Sequence, residues 1–155
     1  MENNIKEEIE IYTNNVENLY KAVQIWLEKK GYRFELETLE LNEEKTGKYK
    51  IDKLLIYKQN KNIAELVPIG LDIIGANGRV DLMTHYDSRE FLCFKNGGPV
   101  ITTKIEGHKR EHKIFNGIKE DGWYWVESFT LKKAYKIDRE VFSSILDEVT
   151  STWVI

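Results

Sequence analysis

The sequence predicts an α+β domain: an N-terminal helix, a curled antiparallel meander of about six to nine short strands, and a C-terminal helix. Three observations predict it. Apolar residues near the start repeat at helical spacing. From Tyr32 onward they alternate with polar ones, and turn signals arrive every eight to twelve residues. Near the end, helical spacing returns behind a good capping residue, Asp138. The 155 residues suit one domain spanning 1–155. No linker, repeat or low-complexity tract divides it. A chain of this size hides roughly 68–70% of its unfolded surface on folding, enough for a core without staples.

The first helix is read from Ile5, Ile9, Tyr12, Val16, Leu19, Val23 and Trp26, whose 4-3-4-3-4-3 spacing draws one apolar stripe over the first thirty residues. Lys29 and Lys30 suit the negative end of the helix, and Gly31 suits the left-handed residue that follows it. "TNN" at 13–15 predicts a break into two helices, with Asn14 as a second N-cap and Glu17 three residues on. The seven-residue period also fits a coiled coil. The stripe covers only about three heptads, so a helix laid across a sheet is the expectation.

Strands follow. In "YRFELETLEL", Phe34 and Leu36 alternate with Arg33, Glu35 and Glu37. "EEKTGKYK" is a polar turn, and "KQNKN" turns "IDKLLIY" back into "IAELVPIG" as a hairpin. "LDII", the turn "GANG" and "RVDLM" are expected to form another hairpin. "FLCF" leads through "KNGG" into "PVITTKI". Asn116-Gly117 marks a hairpin turn ahead of "GWYWVESF" at 122–129. The last helix starts at the N-cap Asp138, with Ile137 and Phe142 as a hydrophobic staple and Val141, Phe142, Ile145, Leu146 and Val149 on its buried face. One face of the curled sheet is expected to take both helices.

Composition narrows the function classes. The net charge of −3 is too mild to imply a polyanionic partner by itself. No 18-residue apolar run predicts a membrane span. The polar, acidic start "MENNIKEEIE" is unlike a secretory signal, and the single Cys93 cannot form an internal disulfide. A cytoplasmic chain is expected. Abundant Lys, Asn, Ile and Glu with little Pro suggests a low-GC bacterium or its phage.

"GHKREHK" at 107–113 contains His108-x-x-Glu-His112, the letter pattern of an inverted zinc-protease motif. Two histidines four apart are neighbours at about 5–6 Å only on a helix. On a strand they are separated by about 13 Å, too far to share a zinc at bonds of roughly 2.0–2.1 Å. Gly107 and Gly117 bracket the segment, and "PVITTKI" before it alternates Ile101, Thr103 and Ile105 with Val100, Thr102 and Lys104. The expectation is a basic, solvated hairpin. A third ligand would have to be His85 or a carboxylate, and no spacing points to one.

In "GRVDLMTHYDSREFLCFK", residues 78–95, an acidic residue on one strand of a hairpin is followed by a lysine near the end of the next. This resembles the PD-(D/E)xK nuclease core. The resemblance implies Mg²⁺ held by carboxylates beside a scissile phosphate, with Asp81 and Lys95 in matching places. Cys93 stands where the second acid belongs, and Cys is a poor Mg²⁺ ligand. The match covers fewer than twenty residues, and β-like "PVITTKI" replaces the helix that family places after the hairpin. "EHK" offers Glu111 and Lys113 as a substitute triplet, at the cost of a long loop from Asp81. The other reading is an ordinary hairpin with Asp81 and Arg79 solvated or paired.

Trp123 and Trp125 share one face of "GWYWVESF". They form either a platform for bases, sugars or a protein, or a lid over the core beneath a helix. Cations including Lys104, Lys109, Arg110 and Lys113 gather in the last third, interrupted by Glu106, Glu111, Glu120 and Asp121. Cys93, inside "FLCF", is expected to be a buried small hydrophobe. No cofactor fingerprint, phosphate loop or nucleophile elbow is present, and no cofactor is expected.

The function this supports is a non-catalytic macromolecular interaction module, of the kind found among antitoxin, immunity and inhibitor proteins. It binds chiefly protein, with nucleic acid as the other partner class and no membrane. Trp123, Trp125, Arg79 and Arg110 are its candidate contact residues. The alternative is a metal-dependent hydrolase, either a degenerate nuclease around Asp81 and Lys95 or a zinc site at His108 and His112.

Overall fold

The structure, a computed structural model, describes residues 2–128 and 132–151. Met1 and Phe129, which belong to the expected first helix and to the "GWYWVESF" strand, lie outside the described residues. Among the described residues, helix α1 (Glu2–Leu27) precedes nine strands: β1 (Tyr32–Glu43), β2 (Gly47–Lys58), β3 (Lys61–Gly70), β4 (Arg79–Met83), β5 (Ser88–Phe94), β6 (Val100–Ile105), β7 (His108–Lys113), β8 (Gly122–Ser128) and β9 (Lys133–Lys136). Helix α2 (Arg139–Ser151) follows. The architecture is α+β, as the sequence predicts.

Helix α1 is continuous, which corrects the break expected at 13–15. Tyr12, Val16, Leu19 and Tyr20 are all buried, so one stripe runs straight through "TNN". Burying a large apolar side chain is worth about 1.5–3 kcal/mol. The helix-propensity deficit of a Thr or Asn is at most about 0.7 kcal/mol each. Packing outweighs the local preference. Gly31 adopts the left-handed conformation expected of it, at φ 82°.

Seven strands form one antiparallel sheet in the order β1-β2-β3-β4-β5-β8-β9. Both helices lie on one face. There Leu54, Leu66, Val80, Leu82 and Phe91 meet Tyr12, Val16 and Val23 of α1 and Phe142, Ile145 and Val149 of α2. Val141 N donates to Asp138 Oδ1 at 2.8 Å, which is the expected N-cap bond. A second, smaller core covers part of the opposite face. It joins Leu92, Phe94, Tyr124 and Ala134 to Phe115 and Ile118 of the 114–121 loop.

The β2–β3 hairpin closes on Gln59 and Asn60, both at positive φ, as a two-residue turn requires. β2 stays beside β3 only from Leu54 to Lys58. Beyond Leu54 the β1–β2 ribbon is free to twist more strongly than a sheet. Its buried positions change parity there, from Leu54 and Ile56 to Tyr49 and Ile51. The free half closes over α1 between Glu8 and Tyr20, where Lys45 pairs with Glu8 at 3.3 Å and Tyr20 Oη donates to the Asp52 carbonyl at 2.8 Å.

Two expected hairpins are corrected. "LDII" is not a strand: residues 71–78 form a loop with one isolated bridge, Ile73 to Ala76. The Glu43 carboxylate accepts the Leu71 and Asp72 N–H groups at 3.1 and 3.0 Å, removing the donors a ladder would use. Asn116-Gly117 is not a hairpin turn either. Asn116 N donates to the Lys132 carbonyl at 2.7 Å and its own carbonyl accepts Ala134 N at 2.8 Å, which docks the loop on β9. Gly117, at φ 97°, permits this; a Cβ there would fall 2.4 Å from the Ala134 oxygen.

The meander is interrupted once. β5 pairs with β8, setting Phe91 opposite Trp125, while β6 and β7 leave the sheet and form a two-stranded sheet of their own.

Candidate functional site

That excursion, the β6–β7 arm, is the most distinctive surface of the molecule. β6 is "VITTKI", rich in β-branched residues, and β7 is "HKREHK". They are joined by Glu106 and Gly107, at φ 50° and 80°, the geometry of a two-residue hairpin loop. Register runs from Ile105 opposite His108 to Val100 opposite Lys113. Ile114 N donates to the Pro99 carbonyl at 3.0 Å, so the arm is closed at its base. All twelve strand residues are exposed, and none belongs to either core.

Pleating sorts the arm into two faces. Ile101, Thr103 and Ile105 share one with His108, Arg110 and His112. Val100, Thr102 and Lys104 share the other with Lys109, Glu111 and Lys113. Val100, Ile101 and Ile105 are large apolar side chains left in water, Ile105 at 71% exposure. Among the described residues, none of the arm's four cations, Lys104, Lys109, Arg110 and Lys113, makes an ion pair. Residues 95–136 carry nine cationic and five acidic side chains, in a chain whose net charge is −3. Positive charge is therefore segregated to the arm and its surroundings.

His108 and His112 flank Arg110 on one face of an extended strand. Four residues of strand separate them by about 13 Å, so their rings do not converge. His85 sits on the turn between β4 and β5, at the opposite end of β5 from the arm, with its ring edge-on to Tyr86 at 5.4 Å. Among the described residues, no three His, Cys, Asp or Glu side chains gather in a metal-binding group.

The residues of the nuclease resemblance are dispersed. Asp81 stands opposite Glu90 on the face of the sheet away from the helices. Cys93 is on the helix face, inside the main core. Lys95 lies beyond the end of β5, five residues past Glu90, or about 17 Å along the chain. The Asp81 carboxylate is instead taken up by Arg79, whose Nε and Nη2 each reach it at 2.8 Å. The Cys93 thiol is buried, and burial pushes its pKa up to about 11, so it stays protonated.

The two tryptophans divide. Trp123 is buried and its indole N–H donates to the Asn15 carbonyl of α1 at 2.9 Å. Trp125 is half-buried and stacks on Tyr135 at 5.9 Å. Of the four candidate contact residues, only Arg110 stands fully in solvent on the arm. The apolar exposure of β6 was not singled out from sequence. Its signal is there in the unguarded run "VITT" beside a strand made wholly of charged residues and histidine.

A concavity of about 630 Å³ lies between the start of β3 and the β4–β5 turn, walled by Ile63, Met83, His85 and Tyr86. Its one carboxylate, Glu65, is paired with Lys53 at 3.3 Å. No family model matches the chain, and no curated protein or solved structure shows significant similarity to it.

Proposed function

We propose that this protein is a non-catalytic interaction module that contacts a protein partner through the β6–β7 arm, by accepting a strand on the β6 edge. The observation that carries the reading is that the arm is a complete small sheet with both faces and both outer edges in solvent, contributing no strand residue to either core. A two-stranded hairpin is marginal in water without a third strand or a covering element. Its open edges present unpaired N–H and C=O groups, the usual template for strand addition. The exposed Val100, Ile101 and Ile105 give an added strand apolar side chains to cover.

The hydrolase alternatives have less support. A nuclease centre at Asp81 would have to displace Arg79 from both carboxylate oxygens. A zinc centre at His108 and His112 would have to refold β7 into a helix. Antitoxin, immunity and inhibitor proteins remain the functional class that suits a small module with a projecting arm.

The hydrogen bond between Pro99 and Ile114 makes the reading testable, because the arm can be excised where its ends already meet. Replacing residues 100–113 with Gly-Gly should leave the two cores folded, with a melting temperature near that of the full chain. The arm-less protein should no longer retain the proteins that the immobilised full chain retains. Unchanged retention, or Mg²⁺-dependent plasmid nicking that Asp81→Ala abolishes, would overturn the proposal. Retention of nucleic acid in place of protein would move the leading part to the arm's cations.

A further inference from the structure

The two edges of the arm differ, and the difference identifies an occupant. This step rests on the reading of the arm as the contact element. In a two-residue hairpin the pair flanking the loop is hydrogen-bonded, here Ile105 with His108. Alternation then makes Thr103 with Arg110 and Ile101 with His112 hydrogen-bonded pairs. The bond from Ile114 N to the Pro99 carbonyl continues the same series. It follows that Val100, Thr102 and Lys104 turn their backbone groups outward from β6, and Lys109, Glu111 and Lys113 do so from β7.

Charge is the usual guard of such an edge. On β7 every outward residue is charged. On β6 only Lys104 is, and the strand is otherwise Val, Ile and Thr. We infer that the occupant of the β6 edge is β6 of a second copy of this chain, paired antiparallel about Thr102 in a four-stranded sheet of order β7-β6-β6-β7.

The register follows from which groups point outward. Only Val100, Thr102 and Lys104 can make hydrogen-bonded pairs across the new seam. A two-fold axis through Thr102 sets Thr102 against its copy and Val100 against the copy's Lys104. Thr–Thr is a favourable cross-strand pair, and the aliphatic stem of a lysine covers a valine. On the other face Ile101 lies opposite the copy's Thr103, and the two Ile101 side chains become diagonal neighbours. No like charges oppose one another.

The same operation on β7 would set Glu111 against Glu111 and Lys109 against Lys113 twice, all repulsive. Joining β6 to the copy's β7 would be head-to-tail and would not close. Of the two closed seams that pair all three outward residues of a strand, β6–β6 about Thr102 and β7–β7 about Glu111, only β6–β6 is free of repulsion. It is short, so the dimer is expected to be weak, well below the roughly 800 Å² per partner of a standard stable interface.

Sedimentation velocity of the full chain up to about 1 mM should show a concentration-dependent monomer–dimer equilibrium. Thr102→Pro removes an outward N–H without taking a rung from the β6–β7 ladder, and should leave the chain monomeric with unchanged melting. Thr102→Cys should form a covalent dimer under mild oxidation, since hydrogen-bonded partners sit at a Cα separation of about 5.5 Å. Lys109→Cys, also exposed but on the other edge, should do so at least about tenfold less. The native Cys93 is buried and does not compete. A chain that stays monomeric throughout, or equal cross-linking at 102 and 109, overturns the proposal. Either result leaves the arm's role to the excision experiment, in which another protein would be the occupant.

Discussion

Arg79 and Asp81, two residues apart on one face of β4, form a two-bond ion pair with Nε and Nη2 each 2.8 Å from a carboxylate oxygen. Asp81 is directly opposite Glu90 on β5, a like-charge pair that would repel if left alone. The same guanidinium reaches Glu90 at 3.1 Å and neutralises both. Removing each partner should therefore cost different amounts. Arg79→Ala leaves the largely buried Asp81 carboxylate unpaired beside Glu90, and should destabilise the fold by about 3–5 kcal/mol. Asp81→Ala leaves Arg79 half-satisfied by Glu90 and partly in water, and should cost about 1–2 kcal/mol. Urea denaturation of the two variants gives the order. Equal losses would contradict it.

Gly78 lets Tyr12 reach across the core. The Tyr12 hydroxyl donates to the Arg79 carbonyl at 2.7 Å, and a Cβ at Gly78 would lie 2.6 Å from the Tyr12 ring. Gly78 also sits at φ 147°, which side chains rarely adopt. Gly78→Ala should cost about 2–4 kcal/mol, from overpacking plus backbone strain. Tyr12→Phe keeps the ring and loses one bond, so it should cost only about 1 kcal/mol. Thermal melts of both variants check the ranking.

Alkaline pH should unfold the protein earlier than its modest charge suggests. Burial is the first cause raising the pKa values of Cys93, Tyr12, Tyr20 and Tyr49. Each group stays protonated in the folded chain beyond the pH at which the unfolded chain releases the proton. The folded state then binds more protons, so stability falls as pH rises. The loss starts near the ordinary thiol value of 9.0, continues to about 11 for Cys93, and steepens once the ordinary tyrosine value of 10.0 is passed. Cys93→Ala should remove the slope between pH 9.0 and 10.0 while leaving the tyrosine-driven part. A stability curve flat to pH 11 would contradict this assignment.

The cap of α2 gives a small, clean effect. Asp138 Oδ1 accepts Val141 N at 2.8 Å, and Ile137 and Phe142 are both buried beside it. Asp138→Ala should cost about 1 kcal/mol, and Asp138→Asn much less, because both Asp and Asn cap well. Chemical denaturation distinguishes the two.

The parts of this fold that a local pattern encodes were legible. The stripe of α1, the extended state of β1, β2 and "HKREHK", and the Asp138 cap all follow from local pattern, whereas Leu36, expected on the half-buried face of β1, is 58% exposed. Long-range pairing did not. Nothing local says that Phe91 faces Trp125 across an intervening arm, because two strands of similar apolar character compete equally for the β5 edge. Local turn chemistry also misled. Asn116-Gly117 has the letters of a hairpin turn, yet β9 takes its backbone groups. The pairing of Arg79 with Asp81 was visible as an i, i+2 charge pair on a strand. That the arm lies outside the sheet was not visible, since exposure of "VITTKI" contradicts its apolar content.

Backbone hydrogen exchange over residues 100–113, compared between the dilute free chain and the chain bound to its partner or to its own copy, tests the arm's role most directly. The expected result is fast exchange of Val100, Thr102 and Lys104 when free, slowed by at least about tenfold on association, with little change in β3 and β4. Association that leaves all of 100–113 unprotected, while protection appears at another surface, would contradict the arm as the contact element.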